Sequence, residues 1–198
     1  MSVFASGLVL AAGTASRLGV PKQLLPWRGT TLLEWVVRQA ENSPLDEVIV
    51  VVGHESAAIR DKVSFERART VEAPGFHEGC SASIRAGLDQ VSASAEAAVL
   101  ILGDQPGIET AALAAVIEGY RISQSPVVRI SYRGQPGHPV LLSRKIFAEV
   151  QALHGDKGVW KLLEAHPQWV REIEMDLPSP ADINRWEDYT KLASATDS

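Results

Sequence analysis

The sequence predicts an α/β fold: a mostly parallel sheet covered by helices on both faces, with an added antiparallel element. Three observations carry that prediction. The runs Val3–Ala11, Glu47–Val52 and Ala97–Leu102 are nearly unbroken in Val, Ile, Leu and Ala, as in strands buried on both faces. Segments of helical period separate them, the alternation expected of parallel strands joined by crossover helices. Late in the chain the turn Arg133-Gly134-Gln135-Pro136-Gly137 lies between two further apolar runs, as in a hairpin.

Taken in order, Val3–Ala11 is a strand followed by a glycine-containing loop to Pro26. Thr31-Leu32-Leu33-Glu34 has the form of a capping box and opens a helix with Trp35, Val36 and Ala40 on one side. Strand Glu47–Val52 ends at Gly53, Ala57–Val63 is helical, and Arg69–Glu72 is a short strand. A helix over Ser83–Val91 carries Ile84, Gly87, Leu88 and Val91 on one face. Ala97–Leu102 is the most apolar strand and stops at Gly103-Asp104-Gln105-Pro106. Helix Thr110–Arg121, strands Val127–Ser131 and Pro139–Leu142, helices Arg144–Leu153 and Lys157–Ala165, strand Val170–Met175 and a helix from Trp186 complete the pattern. It reads as one domain over residues 1–198 with a loose tail after about residue 193. Ligands in such sheets bind beyond the carboxyl ends of the strands, so the loops after Leu10 and Leu102 are the places to look.

Composition narrows the function. With 198 residues and 45% hydrophobic content the chain can bury a sizeable core. Its net charge of −5 argues against nucleic acid or an anionic membrane as a partner. Cys80 is the sole cysteine, which rules out an intrachain disulfide and a cysteine metal cluster. No run reaches the roughly 18 apolar residues of a membrane span, and no cation precedes the short N-terminal apolar run, so the expectation is a cytoplasmic protein.

Five segments carry candidate chemistry. In Leu10-Ala11-Ala12-Gly13-Thr14-Ala15-Ser16-Arg17-Leu18-Gly19-Val20-Pro21-Lys22, small residues allow close approach to backbone amides, and Arg17 and Lys22 add two cations. That combination makes an anion cradle suited to a triphosphate, although solvated charges on a plain loop would look the same. It is neither a Walker A loop nor a dinucleotide fingerprint. Asp104, just beyond the most apolar strand, presents oxygen ligands suited to Mg²⁺; Asp, Gln and Pro also suit an ordinary turn. Gly79-Cys80-Ser81-Ala82-Ser83-Ile84-Arg85 places small and hydroxyl residues at a helix start, leaving amides for an oxygen-rich ligand or for a serine cap. Cys80 has no indicated partner and fits a small buried filler. Gly137-His138-Pro139 and Gly155-Asp156-Lys157-Gly158 offer a histidine and a lysine whose bland alternative is structural. Asp182-Ile183-Asn184 reads equally as a ligand pair or as a helix cap.

The strings Leu10-Ala11-Ala12-Gly13, Arg17-Leu18-Gly19 and Pro21-Lys22-Gln23-Leu24-Leu25 resemble the signature loop of MobA-like NTP transferases. Within that family they resemble the molybdenum cofactor cytidylyltransferase branch, because the guanylyltransferase branch has Leu-Ala-Gly-Gly and an Asp where Pro21 stands. Gly103-Asp104-Gln105-Pro106, the Gly79–Gly87 segment, Gly-His-Pro and Gly-Asp-x-Gly follow in the family's order, covering roughly Val3 to Tyr189. Near the end, Arg185-Trp186 replaces the family's Thr-Pro.

The resemblance implies a Rossmann-like, nucleotide-diphospho-sugar transferase (GT-A-like) architecture. It implies transfer of a CMP-type group from CTP to the phosphate of a molybdopterin-like acceptor, with Mg²⁺ and release of pyrophosphate. Arg17, Lys22 and Asp104 are the implied catalytic residues, with Leu10, Ala11, Ala12, Gly13, Gly79, Ser81, Ser83 and Arg85 on the nucleotide. His138 and Lys157 are the implied acceptor contacts, and Asp104 with Asp182 the implied metal ligands. A molybdoenzyme or its chaperone is the implied recipient of the product. Other readings are an NTP transferase acting on a sugar phosphate or a phospho-hydroxy acid, a family member turned oxidoreductase, and a noncatalytic nucleotide-binding accessory protein.

Overall fold

The apolar runs become the strands of one seven-stranded sheet, shown by a computed structural model that describes residues 3–13, 18–53 and 56–194. The chain begins with β1 (Ala5–Ala11), a 3-10 turn at Lys22–Leu24, the small hairpin β2 (Pro26–Trp27) and β3 (Thr30–Thr31), and α1 (Leu32–Glu41). Next come β4 (Glu47–Val52), α2 (Ser56–Lys62), β5 (Arg69–Glu72), α3 (Cys80–Leu88), β6 (Ala97–Leu102) and α4 (Thr110–Ser123). The hairpin β7 (Val127–Tyr132) and β8 (Gln135–Ser143), helices α5 (Phe147–Gln151) and α6 (Gly158–Ala165), β9 (Val170–Met175) and α7 (Trp186–Ser194) end it. The expected helix over 144–153 divides into a 3-10 turn and a short α-helix. α7 ends at Ser194, and the expected tail beyond it lies outside the described residues.

The strand order is β5-β4-β1-β6-β8-β7-β9. β1 pairs in parallel with β4 on one side and β6 on the other, so consecutive crossovers leave it in opposite directions. β8 is antiparallel to β6 and to β7, and β9 runs parallel to β7. The predicted parallel sheet with an antiparallel addition is therefore present.

Alternation along each strand sends side chains to two cores. Val9, Val50, Val99 and Ile101 pack under Leu33, Val36 and Val37 of α1 and Leu113 and Val116 of α4. Leu8, Ile49, Val51 and Leu100 face Ile84 and Leu88 of α3, Phe147 and Val150 of α5, and Leu163 of α6. All of these side chains are buried, and cutting a large one to alanine costs about 2–5 kcal/mol.

Two devices hold the loop after β1 from outside. The capping box forms as the sequence predicts: Glu34 N donates to Thr31 Oγ1 (3.2 Å) and Thr31 N to Glu34 Oε2 (2.9 Å). Ser64 N also donates to Glu34 Oε1 (3.1 Å), tying the start of α1 to the chain after α2. In a third cluster, Leu18, Leu25, Trp27, Leu32 and Ile183 are buried with Tyr189 and Leu192 of α7 against them. Tyr189 Oη donates to Pro26 O (2.8 Å) and Trp186 Nε1 to Leu18 O (3.1 Å), so the last helix pins the chain on both sides of Lys22.

Candidate active site

The switch in strand order around β1 brings the loops after β1 and β6 together at the sheet's carboxyl edge. Gly103 N donates to Leu10 O at 3.0 Å, and a Cβ on Gly53, after β4, would lie 2.6 Å from Ala12 O. The backbones meet closely here, and a cavity of about 580 Å³ opens beside them. That volume suits a nucleotide-sized ligand. One wall is Leu10–Gly13 with Lys22 and Gln23, another is Leu102–Asp104, and the third runs from Phe76 to Cys80 with Ser83 and Asp156.

Gln23 shapes the first wall. Its amide is buried and donates to Ala11 O (2.7 Å) and Gly13 O (3.3 Å), pulling both carbonyls back from the cavity. Gly13 has no positive φ, and a Cβ there would meet no described atom within 4 Å. Neither a positive φ nor a described neighbour requires glycine at that position.

Asp104 and Lys22 meet on the cavity floor. Lys22 Nζ lies 2.5 Å from Asp104 Oδ2 and 3.2 Å from Asn184 Oδ1, with the two charged side chains only 12% and 19% exposed. Partial burial makes this pair stronger than a surface ion pair. Ile183 N donates to Asp104 O (3.0 Å), so the Gly103–Pro106 turn carries the 180–184 segment with it. Gln105, buried, donates to Asp182 Oδ1 (2.7 Å) and Pro180 O (3.3 Å). Burial raises the Asp182 carboxyl above its ordinary value; the Gln105 hydrogen bond opposes the shift and the Asp104 charge adds to it. The Lys22 ammonium is held by oxygens of Asp104 and Asn184. Asp182, expected to share a metal with Asp104, accepts from Gln105 through Oδ1 and lies near enough to Asp104 and Lys22 to feel both charges.

The third wall departs from expectation in a specific way. α3 starts at Cys80, three residues earlier than the sequence suggests, with Gly79 as its cap and no side-chain cap bond. Its first amides are not free: Cys80 N donates to Asp156 Oδ1 (3.1 Å) and Ser81 N to Gly155 O (3.1 Å). Ser81 Oγ also donates to Gly155 O (2.6 Å), and Arg85 reaches Leu153 O and Glu78. Ser81 and Arg85 therefore brace the 153–156 loop, and the helix end is capped from across the site. Gly79 is required here because its φ of 105° and ψ of 177° suit glycine alone. Cys80 packs partly buried against the core and also lines the cavity; burial, then the Asp156 and Asp104 charges, push its thiol up to about 11, which keeps it protonated at neutral pH.

His138 is partly buried, edge-on to Trp160 (5.6 Å between centroids). Burial pushes its imidazole down to about 4, with the Asp104 charge opposing, so at neutral pH it offers a neutral donor and not a cation. Lys157 is exposed at the start of α6 and does not line the cavity. Arg17 lies outside the described residues.

Of the expected nucleotide contacts, Leu10, Ala11, Ala12, Gly13, Gly79 and Ser83 line the cavity with Lys22 and Asp104. Sequence reasoning placed Asn184 beside Asp182 as a candidate ligand without ranking the two, and gave Gln23, Gln105 and Asp156 no contact of their own. All four sat inside quoted motifs; what they do depends on hydrogen bonds across 10 to 162 residues of sequence.

A sheet edge of this kind, with an ammonium and a carboxylate on the floor of a nucleotide-sized cavity, defines a nucleotide-handling enzyme of the doubly wound α/β class. Residues 7–170 match the MobA-like NTP transferase domain. The chain belongs to that family, a family of nucleotidyltransferases. Among curated relatives, "Nicotine blue oxidoreductase" of Paenarthrobacter nicotinovorans is 28% identical over 94% of this chain and 95% of that one. "Molybdenum cofactor cytidylyltransferase" of Escherichia coli is 23% identical over 93% and 97%. Among solved structures, Rv0371c of Mycobacterium tuberculosis superposes with a TM-score of 0.89 at 38% identity, over 98% of this chain and 100% of that one. The same mycobacterial protein has also been solved in complex with manganese, at 36% identity, a TM-score of 0.83 and the same coverage. Among the described residues no helix is long and apolar enough to cross a membrane.

Proposed function

We propose that this chain transfers a CMP-type group from CTP to the phosphate of a molybdopterin-like acceptor, using Mg²⁺ and releasing pyrophosphate. The observation that carries the reading is Lys22 and Asp104 meeting at 2.5 Å on the floor of the cavity, below the open approach to Gly13. The cytidylyltransferase relative supports the choice of donor and acceptor, as does the Ala12 and Pro21-Lys22-Gln23 pattern.

The acceptor phosphate is already anionic, so the reaction needs no strong base. The barrier lies in the approach of two anions and in the charge that builds on the leaving pyrophosphate. Asp104, with Asp182 or Asn184 beside it, supplies hard oxygens of the kind a divalent cation takes, and their grouping around one ammonium supports that reading. When bound there, such a cation supplies charge neutralisation at the α-phosphate. Lys22 meets the departing pyrophosphate, with Arg17 as its partner cation. Gln23 holds the Ala11–Gly13 carbonyls back from the phosphates, and His138 donates a neutral hydrogen bond on the acceptor side.

The test is pyrophosphate release with CTP, GTP, UTP and ATP, each with Mg²⁺ and either purified molybdopterin cofactor or sugar phosphates. CTP with molybdopterin is expected to turn over fastest, and Asp104→Asn to abolish the Mg²⁺-dependent activity while leaving the fold intact. Removing one preorganised charge contact through Lys22→Ala is expected to cost about two to three decades in rate. Faster turnover with GTP overturns the choice of base. Reduction of a dye substrate by a nicotinamide cofactor without pyrophosphate release would instead favour the oxidoreductase reading, which the Paenarthrobacter relative motivates.

A further inference from the structure

In the reaction proposed above, Lys22 and Asp104 have separate duties, one toward the phosphates and one toward a divalent cation. The structure joins them to each other. We propose that Lys22 is an exchangeable placeholder: its ammonium holds the oxygens of Asp104 and Asn184 that the divalent cation takes, and metal loading releases it into the nucleotide cavity. The inference rests on the nucleotidyl-transfer reading and adds to it a coupling between metal and phosphate sites.

Lys22 Nζ touches one carboxylate oxygen at 2.5 Å and one amide oxygen at 3.2 Å. Both are hard oxygens that an ammonium and a divalent cation each accept. Sharing them is disfavoured, because a divalent ion at Asp104 would face the ammonium as a like charge at close range. Nor can Asp104 be left alone, since a half-desolvated carboxylate without a counter-charge is costly. Repulsion between the cations and the cost of a bare carboxylate together favour replacement of one cation by the other.

Only the lysine side chain needs to move. Its backbone is held by the 3-10 turn, with Leu25 N donating to Lys22 O (3.2 Å), and the neighbouring Gln23 is clamped to Ala11 O and Gly13 O. The flexible four-carbon stem lines the same cavity as Gly13, so a swing away from Asp104 carries the ammonium toward the phosphate cradle. Linkage then requires reciprocity. A phosphate ligand that draws Lys22 away tightens metal binding, and the metal tightens phosphate binding by the same factor.

The experiment titrates Mn²⁺ alone, followed by the resonance of the free ion, into wild type, Lys22→Met and Lys22→Arg without nucleotide. Neutral Lys22→Met is expected to bind Mn²⁺ about tenfold more tightly, within the usual range for coupled sites, while Lys22→Arg keeps the plug and stays near wild type. Adding Asp104→Asn to Lys22→Met is expected to erase the gain. Unchanged or weaker Mn²⁺ binding in Lys22→Met, or a gain that survives without Asp104, overturns the proposal. Lys22→Gln repeats the comparison should Lys22→Met fail to melt cooperatively. The two readings fail separately: an intact Mn²⁺ gain with no pyrophosphate release from any nucleotide sinks the reaction. An absent gain with normal turnover sinks the exchange.

Discussion

Alanine at Gly79 and alanine at Gly13 add the same methyl group to the same cavity, with opposite expected results. At Gly79 the new Cβ would lie 2.6 Å from Asp156 Oδ1, 2.8 Å from Gly155 C and 2.9 Å from Asp156 N. Two of those atoms are backbone and cannot rotate aside. The φ of 105° adds strain of about 1–3 kcal/mol for a residue with a side chain. Pushing the 155–156 segment away also removes three hydrogen bonds to the start of α3, each contributing about 1 kcal/mol. Together these terms predict a loss of about 4–6 kcal/mol, or a melting temperature about 8–24 °C lower for a domain of this size. Gly155→Ala is the internal control: its φ is +75° but nothing lies within 4 Å, so it carries only the left-handed penalty of about 1–2 kcal/mol. Gly13→Ala meets no described atom and no positive φ, so it is expected to melt at or slightly above wild type. Its cost falls on the ligand, with nucleotide affinity at least about tenfold weaker because the methyl keeps phosphate oxygens off the amides. Thermal melts and nucleotide titration of the three variants read both quantities. Wild-type melting of Gly79→Ala, or wild-type nucleotide affinity of Gly13→Ala, would refute the reasoning.

Two pH dependences follow from buried or heavily bonded groups. Burial holds His138 at about 4 in the folded chain against an ordinary 6.5, so its ring resonances are expected not to shift between about pH 5.5 and 8. The unfolded chain takes up this proton first, so His138 contributes stability that is present above 6.5 and lost as pH falls toward 4. Chemical denaturation of His138→Gln across that window is expected to lack this part of the slope. At Glu34, burial favours the neutral acid, but hydrogen bonds from Thr30, Thr31 and Ser64 outweigh it and hold the carboxyl at about 2 against 4.5. That stability is present above 4.5 and lost as pH falls from 4.5 toward 2, and Glu34→Gln is expected to flatten the acid limb.

The strands were legible because each is a near-continuous apolar run, and few alternatives to a parallel sheet can bury both faces of Glu47–Val52 and Ala97–Leu102. The capping box of α1 was legible for a similar reason: Thr31 and Glu34 are three residues apart and satisfy one another locally. The start of α3 was not. Ser81 and Ser83 look like caps in the sequence, yet Gly79 opens the helix because Asp156, 76 residues beyond Cys80, supplies the missing acceptor. Asp182 and Asn184 are both oxygen-bearing and two residues apart, so the sequence could not rank them. The ranking came from Gln105, whose buried amide takes Asp182 and leaves Asn184 on the cation.

By itself, then, the sequence determined the alternation of strands and helices, the loops that gather at one sheet edge, and the residue types of a phosphate cradle with an acidic partner. Those properties depend on period and on short-range spacing, which a linear chain displays directly. Tertiary structure alone decided which cations and oxygens face one another: Lys22 with Asp104 and Asn184, Asp182 with Gln105, and Asp156 with the first amide of α3. Each of those pairings joins segments far apart in the chain. It exists because burial of the two apolar cores brings the segments into contact and leaves their polar groups to satisfy one another.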